Sequence, residues 1–447
     1  MNSTPTIAIV GRPNVGKSTL FNKLVGKRIA IVEDSPGVTR DSIFAEAEWC
    51  GQELMLIDTG GIFSADMGNK SAEFTAEIKQ AVDAAMSVAD CILFVTDGRE
   101  GLNPNDMEIA RIIRRLKKPV VLVVNKLDNN DQTKLLEFWE LGLGEPISTS
   151  AIGSMGLGDV LEGVVDATKK DVEVTTSEPS EILNIAIVGK PNAGKSSIVN
   201  KLLGYDRVIV SNIAGTTRDA IDTPFEYNGQ KFNLIDTAGI RKKARIDERL
   251  ETYSVMRALA AIKRADIVLL VLDATEHADE QFVRIAGYAD KEGKPSLVVV
   301  NKWDLLEKDT NTAHKFTQHL LTELKFMAYL QTLYTSALTG QRVNQIIDRA
   351  LEVHKEASKR VPTSILNDIL RDAIIRTEPP VKEGKRLKIY YATQPETNPP
   401  TFVLSVNDKK HLHFSYERYL ENCLRDTFGF KGTPIRIFYK SKVGLGE

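Results

Sequence analysis

The stretch Gly11-Arg-Pro-Asn-Val-Gly-Lys-Ser18 decides the fold, because it returns 178 residues later as Gly189-Lys-Pro-Asn-Ala-Gly-Lys-Ser196. Four further blocks are repeated in the same order. Their first copies are Thr39-Arg-Asp41, Leu56-Ile-Asp-Thr-Gly-Gly61, Asn125-Lys-Leu-Asp128 and Thr149-Ser-Ala151. Their second copies are Thr217-Arg-Asp219, Leu234-Ile-Asp-Thr-Ala-Gly239, Asn301-Lys-Trp-Asp304 and Thr335-Ser-Ala337. A period of domain size predicts two tandem copies of one domain and excludes a solenoid of short repeats.

Each copy alternates short apolar runs with amphipathic stretches. In the first copy, apolar runs cover residues 6–10, 54–57, 91–96 and 120–124, and helical patterns cover residues 17–24 and 108–116. Continuous apolar runs of this length are typical of parallel strands that are buried on both faces. The alternation therefore predicts an α/β fold in which each copy has a parallel, doubly wound sheet.

The domain boundaries follow from the repeat and from composition. We expect the first copy at residues 1–170, the second at 184–354 and a smaller C-terminal domain at 355–447. Residues 171–183 are polar and acidic with little to bury, which predicts a flexible linker. The last domain has the order helix, strand, strand, helix, strand. These elements are expected at residues 363–376, 387–393, 401–406, 415–428 and 435–439.

The composition is that of a globular protein. The chain has 447 residues, 42% of them hydrophobic and 26% charged, which excludes a chain that is disordered throughout. No apolar run is long enough to cross a membrane, and no signal peptide is recognisable. Three well-separated cysteines favour a reducing cytoplasm and no structural zinc site. We therefore expect a cytoplasmic protein without a membrane partner.

The formal charge of −2 is the sum of three parts of the chain that differ in net charge. Residues 1–183 carry a net charge of −10, residues 184–354 carry +2, and residues 355–447 carry +6. A basic C-terminal part is typical of contact with a polyanion, although a solvated basic face would give the same charge.

The repeated glycine-rich block is predicted to bind the phosphates of a nucleotide. Its glycines let backbone N–H groups converge on phosphate at a helix N-terminus, where the helix dipole favours anions. Lys17 and Lys195 should reach the β- and γ-phosphates, and Ser18 and Ser196 should ligate Mg²⁺. The candidate phosphate-binding residues are Gly11, Arg12, Pro13, Asn14, Val15, Gly16, Lys17, Ser18 and Thr19, and Gly189, Lys190, Pro191, Asn192, Ala193, Gly194, Lys195, Ser196 and Ser197.

The second and third repeated blocks should surround the γ-phosphate. Aspartates at strand ends can hold the Mg²⁺ shell, and the glycines that follow let the backbone approach phosphate. These residues are Asp58 and Gly61 in the first copy and Asp236 and Gly239 in the second. Thr39 and Thr217 could ligate Mg²⁺ only when a γ-phosphate is present, which would make their loops switches. We place Lys17, Thr39, Lys195 and Thr217 in the catalytic set.

The Asn-Lys-x-Asp block selects the base. A carboxylate accepts well from the adjacent N1–H and N2–H₂ donors of guanine, and adenine has no such pair. Asp128 and Asp304 therefore favour GTP over ATP. Asn125 and Asn301 should brace the loop, Lys126 and Lys302 should flank the ring, and Ser150 and Ser336 should support the guanine side.

Together these blocks resemble the G1 to G5 motifs of translation-factor-class GTPases, present twice. Two G domains followed by a short basic domain resemble EngA, also called Der, the double-GTPase family of bacterial ribosome assembly. The resemblance implies a P-loop GTPase fold with a KH-like C-terminal domain, GTP hydrolysis to GDP with Mg²⁺, and the large ribosomal subunit and its rRNA as partners. It implies neither a DNA partner nor an oligomer, and we expect a monomer.

One position departs from the pattern of many small GTPases. Ile62 and Ile240 occupy the place of the glutamine that orients the attacking water, and both are assigned to the nucleotide site. The resemblance implies a class in which a potassium ion compensates, with Asn14 and Asn192 as ion ligands. The alternative is that these asparagines only shape the loop.

Two features of the second half leave alternatives open. Within the C-terminal domain, Gly429-Phe-Lys-Gly432 is the only match to the Gly-x-x-Gly of ordinary KH domains, but it follows a helix and reads as a helix cap and turn. The domain is then as well suited to packing against another domain as to binding RNA. The run Arg241-Lys-Lys-Ala-Arg245 fits either a solvated face or a nucleotide-dependent rRNA contact.

The favoured function is a GTPase that times its binding to an assembling large ribosomal subunit. Two alternatives remain at this stage. One is a nucleotide-gated RNA-binding scaffold in which a single G domain is active, and the other is a switch that recruits a tRNA-modification enzyme.

Overall fold

A computed structural model describes most of the chain. The described residues are 4–25, 44–59, 88–127, 132–170, 182–205, 208–210, 222–235, 248–307, 309–382 and 384–441. The chain divides into two compact units, residues 1–179 with 245–260 and residues 180–244 with 261–447. The predicted linker falls almost wholly outside the described residues, and the predicted domain boundaries remain predictions. Within the described residues, no helix is both long and apolar enough to cross a membrane.

The first unit contains a six-stranded sheet in the order β2-β3-β1-β4-β5-β6. The strands are β1 (Thr6–Val10), β2 (Phe44–Trp49), β3 (Gln52–Asp58), β4 (Cys91–Asp97), β5 (Val120–Asn125) and β6 (Ile147–Ser148). The helices are α1 (Lys17–Val25), α2 (Pro104–Arg115), α3 (Gln132–Leu135) and α4 (Leu157–Lys170). Alternating residues of β1 point to opposite faces and all are buried, which is the pattern of a sheet covered on both sides.

Helix α2 begins four residues earlier than predicted. Asn103 caps it by accepting from the N–H of Asn105 at 3.0 Å, and Asp106 completes a capping box. Pro104 then takes the first helical position, where its missing N–H costs nothing. The apolar pattern alone begins only after this polar first turn.

The second unit contains a seven-stranded sheet in the order β13-β12-β11-β7-β10-β9-β8. Its strands are β7 (Ile182–Gly189), β8 (Val208–Val210), β9 (Thr223–Tyr227), β10 (Gln230–Ile235), β11 (Ile267–Asp273), β12 (Ser296–Asn301) and β13 (Gln331–Tyr334). Its helices are α5 (Lys195–Leu203), α6 (Glu248–Arg264), α7 (Glu280–Lys291), α8 (Thr312–Glu323) and α9 (Ile346–Ala357). Residues 248–260 of α6 are grouped with the first unit.

The expectation of wholly parallel sheets is corrected at one edge of each sheet. β2 is antiparallel to β3, and β9 is antiparallel to β10 and to β8. A two-residue turn joins β2 to β3 at Cys50-Gly51, and another joins β9 to β10 at Asn228-Gly229. Both residues of each turn have positive φ, 52° and 77° in the first and 51° and 82° in the second. Such turns return the chain directly alongside itself, which only antiparallel strands allow.

The C-terminal domain has the predicted order of elements. It comprises α10 (Thr363–Arg376), β14 (Val381–Lys382), β15 (Lys385–Arg386), β16 (Ile389–Glu396), β17 (Thr401–Val406), α11 (Phe414–Phe428) and β18 (Arg436–Ser441). The sheet order is β16-β17-β18, with the first pair antiparallel and the second parallel. Leu366, Phe402 and Leu420 are among the buried residues that join helices to sheet. The short β14–β15 hairpin was not predicted.

The Gly-x-x-Gly segment joins this domain to the second G domain. The backbone N–H of Ser296 donates to the carbonyl of Gly432 at 2.7 Å, and the N–H of Gly432 donates to the carbonyl of Tyr329 at 2.8 Å. Gly432 has φ +72°, and a Cβ there would lie 2.7 Å from the methyl groups of Val353. Gly429 follows the end of α11 with φ +93°. The predicted helix cap and turn are therefore confirmed, and the segment is an interdomain joint.

Charged groups surround the same joint. The Tyr329 hydroxyl donates to Asp290 Oδ1 at 2.6 Å, and the Arg425 guanidinium lies 4.4 Å from the centre of the Tyr329 ring. Arg436 Nη2 donates to the carbonyl of Lys291 at 2.6 Å. Burial raises the pKa of Asp290 to about 6; Tyr329, Arg425 and Arg436 oppose the rise, and Glu421 adds to it.

We expect Asp290→Asn to stabilise the second unit at pH 7.5 and to have little effect near pH 4.5. The folded protein holds the Asp290 proton more tightly than the unfolded chain, so the stability this provides is lost as pH rises from about 4 to about 6. Asparagine keeps an acceptor for Tyr329 without the buried charge. The gain at pH 7.5 should reach up to about 3 kcal/mol, measured by denaturant unfolding at both pH values.

Asp290→Ala serves as the control, because it removes the acceptor together with the charge and should be less stable than Asp290→Asn at both pH values. An Asp290→Asn variant that is less stable than the wild type at pH 7.5 would contradict this account.

Candidate functional sites

The first phosphate loop links β1 to α1. Asn14 (φ +65°) and Gly16 (φ +93°) turn the backbone through the left-handed region, which asparagine and glycine tolerate best. The Lys17 side chain is buried, and its Nζ donates to the carbonyl of Arg12 at 2.8 Å. Burial lowers the pKa of Lys17 to about 8, although the nearby Asp58 carboxylate opposes this. The loop thus holds an ammonium group that phosphate oxygens would stabilise.

The second phosphate loop links β7 to α5 in the same way. Asn192 has φ +63° and Gly194 has φ +91°. Lys195 Nζ donates to the carbonyl of Gly189 at 2.7 Å and also to that of Lys190. Burial lowers the pKa of Lys195 to about 8. The two copies therefore present the same charged group in the same loop shape.

The hydroxyl residues predicted at the two helix starts lie in the first helical turn, the part of a helix that can bind an anion. Ser18 and Thr19 are exposed in the first turn of α1, and Ser196 and Ser197 occupy the first turn of α5. The first N–H groups of a helix have no partner within the helix, so they are available to phosphate.

Asn125 and Asn301 connect the phosphate loop to the base loop. Asn125 Nδ2 donates to the carbonyl of Val15 at 2.8 Å, and its Oδ1 accepts from the N–H of Ala151 at 3.0 Å. Asn301 Nδ2 donates to the carbonyl of Ala193 at 3.0 Å, and its Oδ1 accepts from the N–H of Ala337 at 3.0 Å. Each amide therefore bridges the loops on both sides of the site, and we call this pair of contacts the asparagine clasp.

The clasp explains why the last glycine of the phosphate loop is needed. A Cβ added at Gly16 or Gly194 would collide with the side-chain amide of Asn125 or Asn301, respectively. The asparagine can therefore occupy this position only because the phosphate loop has a glycine beside it.

Lys126 and Lys302 are held by aspartates that the motif search missed. Lys126 Nζ lies 2.6 Å from Asp97 Oδ2 and donates to the carbonyl of Asn14 at 2.6 Å. Lys302 Nζ lies 2.5 Å from Asp273 Oδ2. Both aspartates end a central strand and precede the clasp asparagine by 28 residues. That identical spacing in the two copies is the signal that could have identified them.

A second missed contact fixes the basic residue of each phosphate loop. Arg12 lies 2.7 Å from Glu100 and 3.3 Å from Asp106, whose side chain is fully buried. Lys190 lies 3.2 Å from Glu276 and 2.8 Å from Asp279, which also caps α7. In both copies the loop is thus tied to the region that follows the strand beside the phosphate-loop strand, at the start of α2 after β4 and of α7 after β11, although the residue types differ. Because of this difference, the contact is not part of the repeated sequence pattern.

The base side of the second site contains a carboxylate with an unsatisfied atom. Asp304 Oδ1 is buried and has no hydrogen-bond partner among the described residues. Beside it, the ring of the buried Trp303 lies 4.2 Å from that of Tyr334 and 5.7 Å from that of Phe316, measured between centroids. A buried acceptor costs free energy until a donor reaches it, and the N–H groups of guanine are such donors.

Ser150 and Ser336 shape the loop behind the base. Their hydroxyl oxygens accept from the N–H groups of Gly153 at 3.2 Å and Thr339 at 3.1 Å, respectively. Both serines are buried. Their support of the guanine side is therefore indirect, through the loop backbone.

Several predicted site residues lie outside the described part of the chain. These are Thr39, Gly61, Ile62, Asp128, Thr217, Asp236, Gly239 and Ile240, together with the basic run at 241–245. Asp58 is described, at the end of β3 and almost fully buried.

The donors near the first phosphate loop fit a magnesium ion. Ser18 offers a hydroxyl and Asp58 a carboxylate, and hard oxygen donors of this kind suit Mg²⁺, which keeps water and phosphate oxygens as its other ligands. A bound Mg²⁺ would neutralise phosphate charge. The potassium prediction stays untested, and the left-handed backbone at Asn14 and Asn192 gives asparagine a second reason to occupy this position.

Comparisons with known proteins agree with this architecture. The model of a 50S ribosome-binding GTPase family matches residues 6–126 and 184–302, one match for each copy. The model of the KH-domain-like C-terminal domain of EngA bacterial GTPases matches residues 360–440. The predicted fold is confirmed, and the protein is a GTPase with two G domains and a KH-like domain.

Relatives similar to this chain align with it over nearly their whole length. GTPase Der of Alkaliphilus metalliredigens is 50% identical over 441 residues, which covers 98% of this chain and 99% of the relative. GTPase Der of Clostridium kluyveri is 52% identical over 439 residues, with the same coverage. The chain belongs to the Der (EngA) family of GTPases, and it binds GTP.

We expect GTP binding to take up protons at pH 8 but not at pH 6.5. The pKa of Lys17 and that of Lys195 are both about 8 in the unliganded protein, and phosphate charge should raise both. At pH 8 each site should then take up about half a proton, and at pH 6.5 both lysines are already charged. Calorimetric titration in two buffers of different ionisation enthalpy measures this difference. Equal uptake at the two pH values would contradict the burial of these lysines.

Proposed function

We propose that the protein is a GTP-controlled assembly factor for the large ribosomal subunit and that it acts in the cytoplasm. The observation that carries the proposal is the backbone joint between the basic C-terminal domain and the second G domain at Gly432. Through these two backbone hydrogen bonds, a change at the second nucleotide site would be transmitted to the C-terminal domain. The match to a ribosome-binding GTPase family supports the ribosome as partner.

In GTP hydrolysis the residues of the repeated blocks have separate roles. Lys17 and Lys195 neutralise charge on the β- and γ-phosphates, and Ser18 and Ser196 ligate Mg²⁺. Thr39 and Thr217 complete the Mg²⁺ shell only with GTP, so their loops change when the γ-phosphate leaves. The lysine burial supports this assignment, because a desolvated ammonium acts strongly on a developing charge.

Ile62 and Ile240 cannot orient water by hydrogen bonding. We therefore include a potassium ion at Asn14 and Asn192 in the proposal, where its charge would assist hydrolysis. Turnover faster in potassium chloride than in sodium chloride of equal strength supports this role, and equal rates oppose it.

The net charges of the domains indicate different roles. The C-terminal domain, at +6, suits rRNA, and the first copy, at −10, suits a regulatory role that does not require direct RNA contact. The protein then functions as a monomer, with no membrane or DNA partner.

Sedimentation with purified large subunits tests the proposal. We expect the wild-type protein to co-sediment with a non-hydrolysable GTP analogue, to be released by GDP, and to bind less tightly as salt is raised. Lys195→Ala should remove the nucleotide dependence, because the lost ammonium weakens GTP binding in the domain that is joined to the basic one. Lys17→Ala should lower GTP turnover without abolishing sedimentation.

Lys231→Ala, an exposed lysine on β10, provides a matched control and should behave as wild type. Binding that ignores the nucleotide would refute the assembly-factor proposal. Turnover lost entirely with one lysine variant and unchanged with the other would favour the scaffold with a single active G domain.

A further inference from the structure

One face of the C-terminal sheet is not covered by the helices of that domain. Residues of the opposite face, among them Ala392, Phe402 and Leu404, are completely buried in the core shared with α10 and α11. The uncovered face carries the alternate residues of each strand. In register across β16, β17 and β18 these form two rows, Thr393–Val403–Phe438 and Tyr391–Ser405–Lys440.

Aromatic side chains on this face are unusually exposed. Tyr391 is 51% exposed and Phe438 is 38% exposed. A register shift in β16 between Ile389 and Tyr391 also brings Tyr390 to the surface, 53% exposed. A bulge that re-aims side chains in this way is typical of functional surfaces. Large exposed rings in a small domain indicate a binding surface.

The rings are accompanied by positive charge. Lys440 stands in the same row as Tyr391, and Lys388 directly precedes β16. Lys409 follows β17, and its N–H donates to the hydroxyl of Ser441, the last residue of β18, at 3.0 Å. Within the described residues, none of these three lysines takes part in an ion pair. The neighbouring acid Asp408 caps the turn, where its carboxylate accepts from the N–H of Lys410 at 3.0 Å.

The Gly-x-x-Gly segment of this domain is occupied by contacts with the second G domain. Both backbone hydrogen-bonding groups of Gly432 are bonded to the second G domain, and Lys431 N–H lies 3.4 Å from Glu356 Oε2. The Gly-x-x-Gly segment therefore cannot also hold a nucleic-acid backbone without breaking the joint. A nucleic acid that binds this domain needs another surface.

We propose that the uncovered face binds single-stranded RNA, with bases stacked on Tyr391 and Phe438 and phosphates paired with Lys440 and its neighbouring lysines. Aromatic rings on an open sheet stack splayed bases, and basic side chains around them hold the backbone. From strand spacing and rise, the two rings are anchored roughly 12 Å apart, which leaves room for separate bases. Duplex RNA hides its base faces and does not fit. This inference rests on the RNA partner in the proposed function and names its surface.

The test uses the full chain and a fluorescein-labelled single-stranded RNA of mixed sequence, followed by anisotropy. Tyr391→Ala and Phe438→Ala should each weaken binding about tenfold, because each removes one stacked base. Tyr391→Phe and Phe438→Tyr keep the rings and should bind as wild type. A hairpin of the same composition should bind more weakly than the single strand.

Lysine and matched-control variants separate stacking from general effects. Lys440→Ala should weaken binding to all sequences and lower the slope of log affinity against log salt by about one. Phe414→Ala and Arg418→Ala remove an exposed ring and an exposed charge from α11, on the other side of the sheet, and should leave binding unchanged. Thermal unfolding confirms that each variant is folded.

Several outcomes would overturn the inference. They are single-stranded binding that survives in both folded alanine variants, equal losses in the α11 controls, and no binding of the wild-type protein at low salt. Loss of subunit sedimentation without loss of oligonucleotide binding would instead assign the face to a ribosomal protein. Failure of the assembly role itself appears in the nucleotide dependence of sedimentation, which the oligonucleotide assay does not measure.

Discussion

The asparagine clasp is the contact on which both nucleotide sites depend. One amide satisfies a carbonyl of the phosphate loop and an N–H of the loop behind the base, and it does so identically at Asn125 and Asn301. Because both contacts are buried, loss of either partner leaves a polar group unsatisfied. Three further residues pack around each amide. They are a glycine (Gly16 or Gly194), a lysine (Lys126 or Lys302) and the aspartate that contacts this lysine (Asp97 or Asp273).

Much of the site could be predicted because its chemistry is local in sequence. The phosphate loops, the clasp asparagines and the parallel strands that carry them are consecutive residues whose types are restricted. Asp97 and Asp273 were not predicted because each contacts a lysine that follows the neighbouring strand, and one aspartate at a strand end has no distinctive pattern within a single copy. Only their equal spacing in the two copies marks them. The antiparallel edge strands could have been found at Asn228-Gly229, a strong hairpin sequence.

The joint at Gly429–Gly432 could be predicted only in part. The sequence indicated a helix cap and turn, and the structure bears this out. That the turn would insert between Ser296 and Tyr329 depends on the relative placement of two folded domains, which no local pattern specifies. Burial raises the pKa of Asp290 near this joint, which no local pattern specifies either.

The central claim is that the chain has two equivalent nucleotide sites and that each depends on its own asparagine clasp. The most direct test is to count the nucleotides bound per chain. Equilibrium dialysis with labelled GTP should give two per wild-type chain, competed by GDP and not by ATP. Asn125→Ala and Asn301→Ala should each leave one tight site. Two tight sites in either variant, or competition by ATP, would contradict the account.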